Sequence, residues 1–395
     1  QGVSSAASDV YKRQGFAAWG GNEKSADRCR NAKGQRILLP DVSKVRLHDL
    51  EKRARVPSSP MKIGNFDTDQ KVFVIAEIGN NHEGSLEEAK KLVQAAAEAG
   101  ANAVKFQTFV PALYASADQA ERLARLKKFE LRETDWIYLA EFARNLGLVF
   151  FSTPFDLVSA ERLNAVQGVF KISSGDNLFW PLIEKVASFG KPTLISTGLT
   201  SADCLKKVVR FWETKASLDQ LALLHCVASY PTPNAEANLA VIRVFSREFP
   251  QLTLGYSDHT LGIEAVPLAV AAGARIVEKH FTLDKNRSSF RDHQISADPN
   301  ELKSLVSRIR AVECQMGTGL LEVRACELAS AKALRRSIAA SRPLEKNTIL
   351  QIVDLTWVRP GVGIPPGSED RVLGRRLNKS KLLGELILEE DLSPA

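Results

Sequence analysis

The stretch "AAGARIVEKH", residues 271–280, decides the fold. Small apolar residues lead into Gly273, the residue type that most readily closes a helix. Ile276 and Val277 then open a short run of strand-forming residues. The run ends at once in Glu278, Lys279 and His280, three ionisable groups that a buried strand tolerates only where something needs them. The stretch "EAGANAVKF", residues 98–106, repeats the arrangement, with Gly100 ahead of the apolar run and Lys105 near its end. Helix, glycine, then a strand tipped with charge is the rhythm of repeated β/α units.

Working outward, strands are expected at 72–76, 102–106, 148–151, 169–172, 192–196, 220–225, 252–256 and 275–279. Amphipathic segments such as 85–99, 134–146, 201–213, 262–272 and 298–312 lie between them. Ser85 followed by Glu88 forms a capping box that opens the first helix. Eight such units over about 250 residues predict an α/β fold of the (β/α)₈ TIM-barrel type. A doubly wound sheet is the structural rival, but no Gly-x-Gly-x-x-Gly follows a strand. The barrel is expected over 61–315, a linker over 316–334 and a small separate unit over 335–395. Sixty residues build a marginal core, so that last unit is expected to pack against something.

Composition narrows the function class. Apolar residues at 44% and charged residues at 25% describe an ordinary soluble globular chain. No run approaches the roughly eighteen apolar residues of a membrane span, so no membrane partner is expected. Five cysteines without C-x-x-C spacing suit free thiols in a reducing, cytoplasmic setting. The net charge of +7 invites a nucleic-acid reading, but residues 1–60 hold 12 Lys/Arg against 6 Asp/Glu and carry nearly all of it. No nucleic-acid partner is therefore expected. That segment contains "SDVYKRQ", residues 8–14, which reads like a translated sequencing adapter. Residues 1–60 are expected to be a non-native or disordered segment, with Met61 the natural start.

The ends of the strands carry the chemistry. In chain order they offer Glu77; Lys105 and Gln107; Ser152 and Thr153; Lys171, Ser173 and Ser174; Ser196 and Thr197; His225 with Tyr230 beyond; Ser257, Asp258 and His259; then Lys279 and His280. This is the face where barrels place their active sites. Two lysines with several hydroxyls make a cradle for a phosphate or carboxylate. A Schiff-base role for Lys171 ranks below that one. His259 and His280 end neighbouring strands, near enough for two imidazoles to converge on one first-row divalent ion. His225 is read instead as a packed, hydrogen-bonded residue.

Quoted in order, "AEIGNNHEGSLEEA" (76–89), "VKFQTF" (104–109), "FSTPFD" (151–156), "FKISSGD" (170–176), "ISTGLT" (195–200), "LLHCVASYPTP" (223–233), "GYSDHTLGIEA" (255–265) and "EKHFTLDKN" (278–286) resemble the sialic acid synthases, legionaminic-type members included. The unit after residue 335 resembles the antifreeze-like (SAF) domain that completes them. The resemblance implies condensation of phosphoenolpyruvate with an N-acetylated mannosamine-type sugar to a nine-carbon 2-keto acid and phosphate. It implies that Lys105, Thr153, Lys171, Ser174, Ser196 and Ser257 hold phosphoenolpyruvate. His259 and His280 would bind a divalent metal, Mn²⁺ foremost, with Mg²⁺ or Co²⁺ as alternatives. Glu77 would act near the reacting carbons and Gln107 beside the metal, with Tyr230 and Asp292 on the sugar. Glu77 or Asp176 would manage the proton of the attacking water. The family also implies a domain-swapped homodimer in which Arg335 or Arg336 reaches the sugar's N-acetyl group. Three departures stand out: Asp176 where glutamate is expected, Ala228 where some members have asparagine, and "FRDH" (290–293) for "GPDH". The rivals are a synthase acting on a phosphorylated aldose, which would lack the C-terminal unit, and a non-catalytic sugar-binding protein.

Overall fold

The computed structural model describes residues 61–393. The expectations placed on residues 1–60 lie outside the described residues. The chain divides into two compact units, the first ending at Gly317 and the second beginning at Thr318.

In the first unit, eight parallel strands carry the fold: β1 (Phe73–Gly79), β2 (Ala103–Thr108), β3 (Val149–Pro154), β4 (Phe170–Ile172), β5 (Thr193–Ser196), β6 (Leu221–Cys226), β7 (Thr253–Asp258) and β8 (Ile276–His280). Their order is β3-β2-β1-β8-β7-β6-β5-β4, so β1 and β8, the ends of the series, are hydrogen-bonded neighbours. Helices follow each strand, from Leu86–Glu98 after β1 to Pro299–Met316 after β8. This is the expected TIM barrel, nearly closed. At the β3/β4 seam a side chain stands in for a strand: Ser152 N donates to Gln167 Oε1 at 2.7 Å, and Gln167 Nε2 returns a bond to the Ser152 carbonyl at 3.2 Å. A buried backbone edge is thereby satisfied where ladder pairing stops.

Most strands run further toward their C-terminal ends than the sequence reading placed them. The polar residues therefore sit within the strands, and period-two alternation decides their direction. Along β2, Ala103 joins the inner core, Val104 and Phe106 join the layer under the helices, and Lys105 faces inward with Ala103. Along β8, Ile276 is inside and Val277 outside, which turns Glu278 and His280 inward and Lys279 outward.

Met61 has a structural role. It leads a hairpin, Lys62–Ile63 paired with Phe66–Asp67, that the sequence reading did not foresee because each strand has two residues. Met61 and Ile63 pack on Phe73, Ala103, Val169 and Ile276, residues at the starts of strands, and so plug the N-terminal end of the barrel. Met61 is 1% exposed. Met61→Ala is expected to cost about 2–5 kcal/mol through lost contact and the cavity left behind. A lowered midpoint in urea unfolding, with turnover retained in native buffer, would verify this.

The second unit contains a short helix, Leu328–Leu334, and an antiparallel pair, β9 (Ser337–Ala340) with β10 (Leu355–Val358). Its core is small: Ile338, Leu344, Leu350, Val372, Leu377 and Ile387 are among its members. Lys381 and Asp391 form a buried ion pair at 2.5 Å inside it.

Candidate active site

The inward residues near the strand tips line one cavity of about 330 Å³. Glu77, Lys105, Gln107, Thr153, Lys171, Ser174, Ser196, Tyr230, Ser257, His259, His280 and Asp292 all border it. A smaller cavity of about 80 Å³ shares Gln107 and is bordered mainly by apolar side chains, with Glu130, Glu133 and Arg162 as its ionisable residues but no lysine or histidine.

Charge is dense and buried here. Lys105 Nζ lies 2.8 Å from Glu77 Oε2 and 3.7 Å from Glu278 Oε2, and donates to Thr153 Oγ1 at 3.1 Å. Lys171 Nζ donates to Ser196 Oγ at 2.6 Å and lies 4.0 Å from Glu278 Oε1. Ser257 Oγ donates to the same Glu278 oxygen at 2.9 Å. Two ammonium groups, from β2 and β4 on either side of β3, thus converge on one carboxylate. A relay positions the other carboxylate: Asn80 Nδ2 donates to Gln107 Oε1 at 2.8 Å, and Gln107 Nε2 donates to Glu77 Oε1 at 3.0 Å.

Burial drives the titration behaviour. Desolvation pushes Glu77 up to about 7, against the pull of Lys105 and with added repulsion from Glu278. Burial would raise Glu278 as well, but Lys105 and Lys171 outweigh it and hold that carboxyl below its usual range. One carboxylate is poised near neutrality and the other stays ionised. Burial likewise lowers Lys171, with Glu278 opposing, whereas in Lys105 the flanking carboxylates overcome burial and raise it.

The two imidazoles sit across the cavity with ring centroids 5.4 Å apart. Burial depresses both, His280 strongly, so each ring is neutral and keeps a lone pair. His259 Nδ1 lies 3.0 Å from the Val227 carbonyl. A carbonyl only accepts, so Nδ1 carries the proton and Nε2 is left free, the arrangement that orients a metal-ligating histidine. His280 Nδ1 is buried without a hydrogen-bond partner. Neutral rings with an orphaned nitrogen fit a divalent ion. Among the described residues no three His, Cys, Asp or Glu side chains gather into a metal cage. Two imidazoles would leave the remaining positions to solvent and substrate.

Other candidates are placed less centrally. Asp176 accepts from Ser173 Oγ at 2.5 Å and is not among the residues that border the cavity, with burial raising its carboxyl. Burial also raises Asp292. The Arg291 guanidinium stacks on Tyr230 at 4.6 Å, which gives the changed "FRDH" loop a contact at the mouth. Arg335 and Arg336 belong to the second unit, where Arg336 Nη1 donates to the Trp357 carbonyl at 2.5 Å. His225 is packed as expected, its Nε2 2.8 Å from the Ala237 carbonyl.

Two sequence assignments need correction. Lys279 and Asp258, counted among the polar groups at the strand ends, point out of the barrel and pair with each other at 2.8 Å. Glu278, given no role, stands at the centre of the site. The signal was present: Glu278 lies two residues before His280 on one strand, and a period of two puts both on one face. Cys226, Tyr114 and Arg291 also line the cavity without having been singled out.

The NeuB family model matches residues 92–320 and the SAF domain model matches 335–393. The chain is 39% identical over 338 residues to an N,N'-diacetyllegionaminic acid synthase of Legionella pneumophila, covering 81% of this chain and 94% of that protein. It is 32% identical to the N-acetylneuraminate-9-phosphate synthase of Homo sapiens, covering 80% of this chain and 92% of that one. An N-acetylneuraminic acid (sialic acid) synthetase from Leptospira borgpetersenii, crystallised with citrate, superposes with a TM-score of 0.66 at 35% identity, over 69% of this chain and 95% of that chain.

Proposed function

Because the chain belongs to the NeuB family and carries a C-terminal SAF domain, we propose that it condenses phosphoenolpyruvate with an N-acetylated mannosamine-type sugar. The product is a nine-carbon 2-keto acid of the sialic or legionaminic type, released with inorganic phosphate. The observation that carries this reading is the convergence of Lys105 and Lys171 on Glu278, in the cavity that also holds His259 and His280.

Phosphoenolpyruvate is a polyanion, and the site offers two buried ammonium groups ringed by the hydroxyls of Thr153, Ser174, Ser196 and Ser257. These groups bind its phosphate and carboxylate and hold the methylene carbon toward the sugar. The sugar reacts as its open-chain aldehyde. The π pair of the enol double bond forms a new bond from the methylene carbon to the aldehyde carbon, the C=O π pair moves to the aldehyde oxygen, and that oxygen takes up a proton from solvent. Positive character develops at C2, where water adds. Glu77, poised near neutrality, takes the proton of that water. Asp176 does not border the cavity and is the weaker candidate for that step. The tetrahedral carbon then breaks its C–O bond to phosphate, and the carbonyl of the keto acid forms. The lysines and hydroxyls favour this departure because they already stabilise the leaving charge.

His259 and His280 would hold the divalent ion, Mn²⁺ foremost, which when bound polarises the sugar carbonyl as a Lewis acid. Gln107, Tyr230 and Asp292 face the sugar. Two copies of the chain would form the working unit, the SAF domain of one bringing Arg335 or Arg336 to the acetamido group bound by the other. The four described cysteines are free thiols, which supports a cytoplasmic setting.

Phosphate release from phosphoenolpyruvate tests the proposal, with N-acetylmannosamine, its 6-phosphate and a 6-deoxy diacetamido sugar supplied in turn. Release is expected only with an N-acetylated sugar and a divalent ion. Release driven equally by a phosphorylated aldose without an acetamido group would overturn the reading.

A further inference from the structure

The outward-facing pair Asp258–Lys279 takes no part in the chemistry above, yet it is buried, with side chains 0% and 2% exposed. Its carboxylate also accepts from Tyr256 OH at 3.0 Å and from Thr260 N at 2.9 Å. Lys279 Nζ donates to the Thr260 carbonyl at 2.5 Å. Stability alone does not account for such a network, since apolar residues of similar volume commonly replace a buried ion pair without loss.

Its place in the sheet does. Lys279 and Asp258 are the last registered pair of the β7/β8 ladder. His259 follows immediately after β7, and His280, the last residue of β8, is registered with Glu77 of β1 but has no partner on the β7 side. Beyond the ladder's end the two strands no longer hold each other in register by backbone bonds. Because strand residues alternate between faces, a clamp on the outer face fixes the direction of the next residue on the inner face. The network also grips both backbone groups of Thr260, immediately after His259.

We propose that Asp258 and Lys279 are positioning residues that hold the His259 and His280 rings in the spacing a divalent ion requires. This rests on the reading of those imidazoles as metal ligands.

The test uses the full chain, stripped of metal, with calorimetric titration by Mn²⁺ and separately by phosphoenolpyruvate, and thermal unfolding of each variant. Lys279→Met is expected to weaken Mn²⁺ binding about 10–100-fold, the usual effect of losing an outer support of a metal ligand. Phosphoenolpyruvate binding, which depends on hydroxyls and ammonium groups of β2, β3, β4, β5 and β7 and the turn after β4, should stay near wild type. The double variant Lys279→Met with Asp258→Asn removes the unpaired carboxylate, and is expected to regain thermal stability without regaining Mn²⁺ affinity. Unchanged Mn²⁺ affinity in either folded variant would overturn the inference, as would loss of both ligands together. His259→Ala separates the two levels. If wild type takes up no Mn²⁺, or His259→Ala binds it equally well, the metal reading itself fails and the inference with it. If His259→Ala loses the ion and Lys279→Met does not, the positioning role alone fails.

Discussion

Glu278→Gln should destabilise the substrate-free protein by about 3 kcal/mol, the scale of removing one partner from a buried ion pair. The substitution keeps the volume of the side chain and an oxygen able to accept from Ser257. It removes the charge that faces Lys105 at 3.7 Å and Lys171 at 4.0 Å. Lys105 retains Glu77, but Lys171 loses the one carboxylate in reach of its ammonium group among the described residues. Urea unfolding would measure the loss. Phosphoenolpyruvate or inorganic phosphate should restore much of it, because an anion bound between the lysines takes over the role of the missing carboxylate. A variant as stable as wild type without any anion would mean that Glu278 does not neutralise the two lysines.

The second large effect concerns turnover. His280→Ala is expected to cut it about a thousand-fold, since losing roughly 4 kcal/mol of carbonyl polarisation corresponds to three powers of ten. The fold should survive, because the ring borders a cavity and its Nδ1 makes no hydrogen bond that the substitution would break. Phosphoenolpyruvate binding should also survive, since Lys105 and Lys171 are untouched. Chelator treatment of the wild type should reproduce the same loss, and added Mn²⁺ should reverse it there but not in the variant. Full activity after chelation would remove the metal role.

How much of the site was legible depended on whether the signal was local. Lys105, Lys171, His259 and His280 stand at or near the ends of apolar runs, and an ionisable group there is visible in the sequence itself. Glu278 was legible in principle, two residues from His280, but nothing along the chain says that two lysines more than a hundred residues away require a carboxylate. Lys279 and Asp258 show the reverse error. Adjacent residues on a strand face opposite ways, so standing immediately beside an inward histidine is evidence against sharing its face. The hairpin led by Met61 escaped because two-residue strands have no periodicity to read.

Taken alone, the order of residues determined that eight β/α units exist, that they form a barrel followed along the chain by a smaller unit, and which strand tips bear cations and imidazoles. These follow from hydrophobic periodicity, capping and turn residues, all interactions within a few positions of each other. Tertiary structure alone decided which of those groups share a cavity, that Glu278 stands between two ammonium groups, that Glu77 is pushed up to about 7, and that Asp258 and Lys279 turn away. The physical reason is that closing a ring of strands removes water from its centre. Coulomb forces and desolvation then act between residues far apart in the chain, and no local pattern records their strength.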